Sequence, residues 1–494
     1  MNPSLASLIC ACGIAGLFWL NRDDSVHTSK ALWLPVVYLW IIGSRPISFW
    51  LGVTPANGAN VQLDGSPFDA LFFGFLLAAA VVVLIRRGKR TRILLTANWP
   101  ILLYFSYCLV SVAWSYHPDV AFKRWIKAIG DLAMVLIIVT DGQLVAALRR
   151  LFSRVGFLLL PTSVLFIKYY GYLGRGYTPD GAPMNTGVTD NKNSLGLIVY
   201  LISLGVLWNV RALLIDKEAP NRTRRLTAQG SLLAFGIALL QMSHSATSVA
   251  CFVLGGGLML LTTRRAIRNR PGRVYALCLA IVLAGGLSML FGGGSLVSSA
   301  LGRGEGLSGR TEIWTAVLGA VDNPLIGTGF ESFWISPNVQ KVWRSLEGWW
   351  HPEGLNEAHN GYIEVYLNLG WIGISLIVLI LISSFRCAGN AFRRDPEFAG
   401  LIVAYLATGT FYSLTEAGFR TLSPSWFFLV LAIVSASGLA AGLFSGEPRD
   451  VLGARGGMAV NRPSGKKLIP KKATVYTARR RLAGFQIAHE YNLR

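Results

Sequence analysis

PFDALFFGFLLAAAVVVLIRRGKRTR, residues 67–92, decides how the rest of the chain is read. Positions 67–85 are apolar but for one aspartate, and roughly 20 such residues are what a helix needs to cross a bilayer. The run then breaks into RRGKRTR, Arg86–Arg92. An apolar helix with a basic cluster at one end is the pattern of a membrane span with its cytoplasmic end marked.

The pattern repeats along the 494 residues. Apolar runs at 4–20, 31–50, 67–86, 94–115, 119–140, 148–170, 193–212, 228–243, 247–263, 273–293, 364–385, 396–416 and 424–444 give thirteen expected spans. Only 14% of residues are charged, against roughly 25% in ordinary soluble proteins, and mean hydropathy is +0.48. The expected fold is therefore all-α: a polytopic membrane helix bundle of 12–13 spans. Residues 1–444 form the expected membrane domain, and 445–494 a basic cytoplasmic tail, read as disordered from its eleven Lys and Arg against three Asp and Glu. The net charge of +21 follows from the positive-inside rule and attraction to anionic lipid, so nucleic acid is not an expected partner.

Basic clusters at Arg86–Arg92, Arg149–Arg154, Arg211–Arg225, Arg264–Arg273 and Arg386–Arg394 each follow an odd-numbered span. All then lie on one side, the cytoplasm. The loops after even-numbered spans lie outside it, including the one long loop, 294–363. The N-terminus lacks a basic n-region and an A-x-A site, so no removable signal peptide is expected. The six cysteines form no C-x-x-C pair and read as packing residues.

No phosphate-binding G-x-x-x-x-G-K-[ST], kinase set, H-E-x-x-H or zinc-spaced His/Cys cluster is present, so neither metal nor cofactor is expected. Chemistry is expected in the long loop. Ser308 and Gly309 signal a helix start; Ile313, Trp314, Val317, Leu318 and Val321 follow at helical spacing, and Asp322-Asn323-Pro324 stops it. Arg310 falls on the apolar face of that helix and needs an anionic partner, which a tertiary carboxylate such as Glu357 or a ligand phosphate would supply. His359 stands at the loop's end, at the mouth of the span at 364–385, where it would take a proton near neutral pH as a general base, with Glu357 orienting it or sharing the role. Lys123, Arg124, Arg175, Lys192, Arg303, Arg310 and Arg420 would together line a basic pocket away from the cytoplasm. Such a pocket suits an anion at membrane depth, for instance a lipid-linked diphosphate.

GRTEIW (309–314), the turn from Pro324 to Gly329, HNGYIEVYLNLGWIG (359–373), NKNSLG (191–196) and SHSATS (243–248) resemble the O-antigen ligase and O-antigen polymerase superfamily. SKALWLPVVYLWIIGSRPISFWLG (29–52) is similar to its exopolysaccharide-production branch. One departure is that Gly304, not an acidic residue, follows Arg303. The resemblance implies a multi-pass protein of the bacterial inner membrane whose long loop, with its short helices, is periplasmic. It implies glycosyl transfer or polymerisation from an undecaprenyl-diphosphate-linked glycan to a glycan or lipid acceptor, without metal or cofactor. Other polysaccharide export components are candidate partners. Carried over by motif, Arg303 and Arg310 are the loop arginines and His359 the loop histidine; Arg310, Glu357 and His359 would be catalytic. The alternative is a transporter or flippase of lipid-linked sugar, or a non-catalytic assembly protein.

Overall fold

The computed structural model describes residues 2–23, 25–53, 65–178, 181–262, 308–348 and 354–443, with positions 272, 276 and 280. All belong to one unit, Met1–Glu447. The expected span at 273–293, Arg303 and the expected tail at 445–494 lie outside the described residues. Every other expected span has a helix. These are α1 (Pro3–Leu20), α2 (Trp33–Ile42), α3 (Pro67–Arg86), α4 (Gly88–Ala97) with α5 (Trp99–Ser111), α6 (Pro118–Val139), α7 (Leu144–Tyr169), α8 (Lys192–Ile215), α9 (Arg222–Ser243) and α10 (Ala246–Leu261). After the long loop, which holds α11 (Ser308–Gly319) and α12 (Asn338–Ser345), come α13 (Gly361–Ala391), α14 (Pro396–Thr415) and α15 (Pro424–Ala440). Seven of them are long and apolar enough to cross a membrane, or eight with the bent α4–α5 pair. The fold is all-α and polytopic. A two-stranded antiparallel ribbon, β1 (Arg175–Tyr177) with β2 (Pro183–Asn185), is the only sheet among the described residues.

Two spans are built differently from their expected limits. The run at 94–115 is not one helix: α4 and α5 meet at 85° just before Pro100, in the first turn of α5, and Arg87, which precedes α4, and Arg90 within it hold α4 across the end of α6. Arg87 donates to Ile137 O and Thr140 Oγ1, and Arg90 to Asp141 O. The run at 31–50 breaks after Ile42, because Pro46 cannot continue a helix; one further turn, Ile47–Trp50, follows.

Long-range contacts sort the helix ends onto two sides. On the basic side, Arg225 pairs with Asp23 at 2.7 Å, Arg211 with Glu397 at 3.5 Å, and Ser437 bonds Asn98. On the opposite side, the end of α14 meets the starts of α8, α10, α11 and α13 through Glu416 and Thr415. Among the described residues, the helix ends thus fall on two sides, one of which carries the basic clusters. Between them the core is continuous, from Tyr38 and Leu39 to Phe427 and Phe428.

The loop has a small core of its own: Ile313, Val317, Phe333, Trp334, Val339 and Val342. Leu318, expected on the buried face of α11, is 46% exposed; Ala316 and Ala320 are buried instead. The loop is locked to the membrane part through a break in α13. Gly370 has φ +62°, so the helical hydrogen bonds are interrupted there. Backbone groups released in an apolar setting need other partners, and the turn from Pro324 to Gly329 supplies them. Thr328 N and Gly329 N donate to Leu367 O and Asn368 O, while Trp371 N and Ile372 N donate to Pro324 O and Leu325 O. A Cβ at Gly370 would meet the Leu325 backbone. Gly370→Ala is therefore expected to cost about 1–3 kcal/mol of backbone strain, and a thermal melt of the detergent-purified protein checks it.

Candidate functional site

Beside this clamp, four elements bring charged groups to one place. The first is the start of α13. Asn360 caps the helix by accepting from Tyr362 N and Ile363 N, and its Nδ2 donates to Leu414 O at 3.0 Å, tying the start of α13 to the end of α14. His359, just before the cap, is in the left-handed region at φ +50°. That conformation is uncommon for a side-chain-bearing residue and is held here by its surroundings. Glu331 and Leu422, around the same cluster, also have positive φ, at 52° and 59°.

The second element is the end of α14. Glu416 accepts from Arg310 Nη2 at 3.0 Å and Asn193 Nδ2 at 3.2 Å, and lies 3.4 Å from His359 Nδ1. It is the shared partner of three distant segments, and its side chain is only 9% exposed. Arg310 also donates to Thr415 O. The third is the segment before the cap: Glu357 Oε1 lies 2.9 Å from His359 Nδ1, and Glu357 Oε2 lies 3.7 Å from Arg420 Nη1. The fourth is the loop 416–423. Arg420 Nε is 3.9 Å from Glu331 Oε2, Thr421 N donates to Glu331 Oε1, and Arg124 donates to Glu331 O. Leu422 N donates to Asp131 Oδ2, and Tyr38 OH to Asp131 Oδ1 at 2.7 Å. Asp131 is fully buried in α6, so the loop dips three turns below the start of that helix.

These contacts set the charges. Burial alone would lower the His359 pKa, but the hydrogen bonds and charges of Glu357 and Glu416 outweigh it and raise the value to about 9. The ring is cationic at neutral pH, so it cannot serve as the resting proton acceptor. Burial opposes ionisation of Glu357, yet His359, Arg420 and Arg310 hold its carboxyl below the usual range. Burial also works against charge on Arg420, and Glu331, Glu364 and Glu357 overcome it, raising its pKa.

Glu357, His359 and Glu416 place one potential ligand atom each within 4.8 Å of one another. As a metal site the set fits poorly. Each carboxylate already faces a guanidinium, and His359 Nδ1 would have to lose the proton it shares with both.

The structure thus gathers Arg310, His359, Glu357, Arg420 and Arg124. Lys192 begins α8 beside Asn193. Arg175 is used elsewhere, donating to Ile167 O at 2.8 Å beside the ribbon, and Lys123 pairs with exposed Asp119. Sequence reasoning offered Glu357 as a partner for Arg310; the direct ion pair is with Glu416. Glu416, Glu331 and Asp131 were not singled out. Asp131 was detectable as a carboxylate inside an apolar run, and Glu416 as an acid four residues before Arg420 in TEAGFR.

Comparison with known proteins bears on the same residues. Residues 230–378 match the O-antigen ligase family model, a stretch that includes Arg310, Glu331, Glu357 and His359. The exopolysaccharide production protein ExoQ of Rhizobium meliloti (strain 1021) is 27% identical over 304 residues, 59% of this chain and 66% of the relative. The aligned part is thus just under two thirds of that relative's length. With its apolar helices and its loop, this chain is a multi-pass membrane protein that is similar, over part of its length, to the O-antigen ligase family and to an exopolysaccharide production protein.

Proposed function

We propose that the protein is a glycosyltransferase of the inner membrane that transfers or polymerises a glycan carried on a polyprenyl diphosphate, working on the periplasmic side. One observation carries this reading most directly. Three cations, Arg310, His359 and Arg420, are gathered at the ends of α13 and α14 and are held by carboxylates that leave part of each exposed. Such fixed donors stabilise negative charge where it develops. In glycosyl transfer that charge appears on the diphosphate oxygens as the anomeric C–O bond breaks.

The steps balance without an added reactant. An acceptor hydroxyl attacks the anomeric carbon, the new C–O bond forms, and the lipid diphosphate leaves with the electron pair of the old one. Arg310 and Arg420 meet its oxygens, and His359 Nε2, which has no hydrogen-bond partner among the described residues, donates to the same group. The hydroxyl proton goes to a carboxylate; Glu357, 29% exposed against 9% for Glu416, is the more accessible. The diphosphate is already a good leaving group, so positioning carries much of the barrier.

The test is turnover by purified protein in vesicles, with lipid-diphosphate-linked oligosaccharide as the only donor. Released lipid diphosphate and product length are followed with and without a chelator. Chelator-insensitive turnover is expected. A ladder of products identifies a polymerase, a single addition a ligase. Absence of turnover by correctly inserted protein across donors and acceptors would sink the reading.

A further inference from the structure

The first turns of α6 carry three adjacent stripes, which follow from the helical repeat of 3.6 residues. Phe122 and Ile126 form an apolar stripe, 45% and 37% exposed. Lys123, whose Nζ lies 3.6 Å from exposed Asp119, and Lys127 form the next. Arg124 and Asp131 form the third, and both join the charged cluster, Arg124 at Glu331 O and Asp131 at Leu422 N. The lysines therefore lie between the lipid-facing side of α6 and the proposed active site. Lys127 is half-buried, one turn below Arg124 and one above Asp131. Its electrostatic neighbours are Arg124, Asp69 and Lys123. Asp69 is already occupied, accepting from Ser48 N at 2.9 Å and from Ser48 Oγ at 2.7 Å. Among the described residues no hydrogen bond or ion pair holds Lys127 Nζ. A cation at membrane depth without a partner is costly, and α3, which packs here against α6, exposes Phe68, Leu71 and Phe75 to the bilayer.

We propose that Lys123 and Lys127 form a phosphate site in the seam between α3 and α6. It receives the phosphate of a membrane lipid from the leaflet on the cluster side and passes the donor lipid diphosphate toward Arg124 and Arg420. Passage of the donor rests on the function proposed above; phosphate binding in the seam does not.

A photoactivatable short-chain polyprenyl diphosphate in phosphatidylethanolamine vesicles tests it. Wild type is expected to label on the segment containing Phe122 and Ile126. Labelling falls about fivefold for each lysine changed to glutamine, the effect of one basic residue near a charged lipid surface, and Lys123→Arg/Lys127→Arg restores it. In turnover, Lys127→Gln raises KM for the donor with kcat retained, the mark of lost uniform binding. Unchanged labelling in Lys123→Gln/Lys127→Gln overturns the site. Displacement of the label by phosphatidylglycerol as readily as by unlabelled polyprenyl diphosphate overturns its assignment to the donor. Wild-type labelling without turnover supports the site while defeating the proposed reaction.

Discussion

Arg310→Ala is expected to leave an inserted, folded protein that forms about 10²–10³-fold less product, the loss seen when one preorganised donor to a developing anion is removed. Arg310 sits in the first turn of α11, its guanidinium 20% exposed and anchored by Glu416 and Thr415 O. That anchoring fixes its direction before substrate arrives. The substitution also strands Glu416, which is 9% exposed. An unpaired buried carboxylate adds a cost of its own, so stability falls along with activity. Arg310→Ala/Glu416→Gln separates the two effects: it relieves the stranded charge and regains stability but not turnover. Arg310→Lys keeps the charge and loses the planar two-pronged donation, and should fall between wild type and alanine. Thermal melts beside released lipid diphosphate distinguish these outcomes; near-wild-type turnover in Arg310→Ala would remove Arg310 from the proposed chemistry.

Turnover is expected to hold across neutral pH and to fall as pH rises through about 9, where His359 loses its proton. The folded-state pKa lies above the ordinary value of about 6.5, so folding takes up protons between those limits. The stabilisation from this group is therefore complete below about 6.5 and is lost as pH rises through about 9. Glu416→Gln removes one of the two carboxylates that raise the pKa, and should move the alkaline limb of the rate profile to lower pH. His359→Gln keeps a hydrogen-bond donor but no titration, and should abolish that limb. A rate that instead increases through pH 9 would mean that the neutral imidazole is the active form, acting as the base.

The spans were legible because hydrocarbon leaves a chain few choices: α3 occupies the residues its apolar run marks, and α6, α8 and α14 begin within a few residues of theirs. The α4–α5 bend had one legible signal that the apolar run at 94–115 masked: Pro100, in the first turn of α5, cannot continue α4 into it, while the grip of Arg87 and Arg90 on the end of α6 fixes where α4 lies. His359 and Arg310 stood out by position and type. Glu416 did not, because a carboxylate after an apolar run looks like an ordinary helix end until Arg310, 106 positions earlier in the chain, is folded against it.

The clamp between the turn at Pro324–Gly329 and the break at Gly370 also defines what can be exchanged between relatives. The loop is no detachable insert: half of its fastening is written into a membrane helix. A chimera that grafts residues 308–348 alone onto a related scaffold inherits a turn with no matching break to receive it. The heritable module extends through Ile372, taking the cluster histidine and the glycine together.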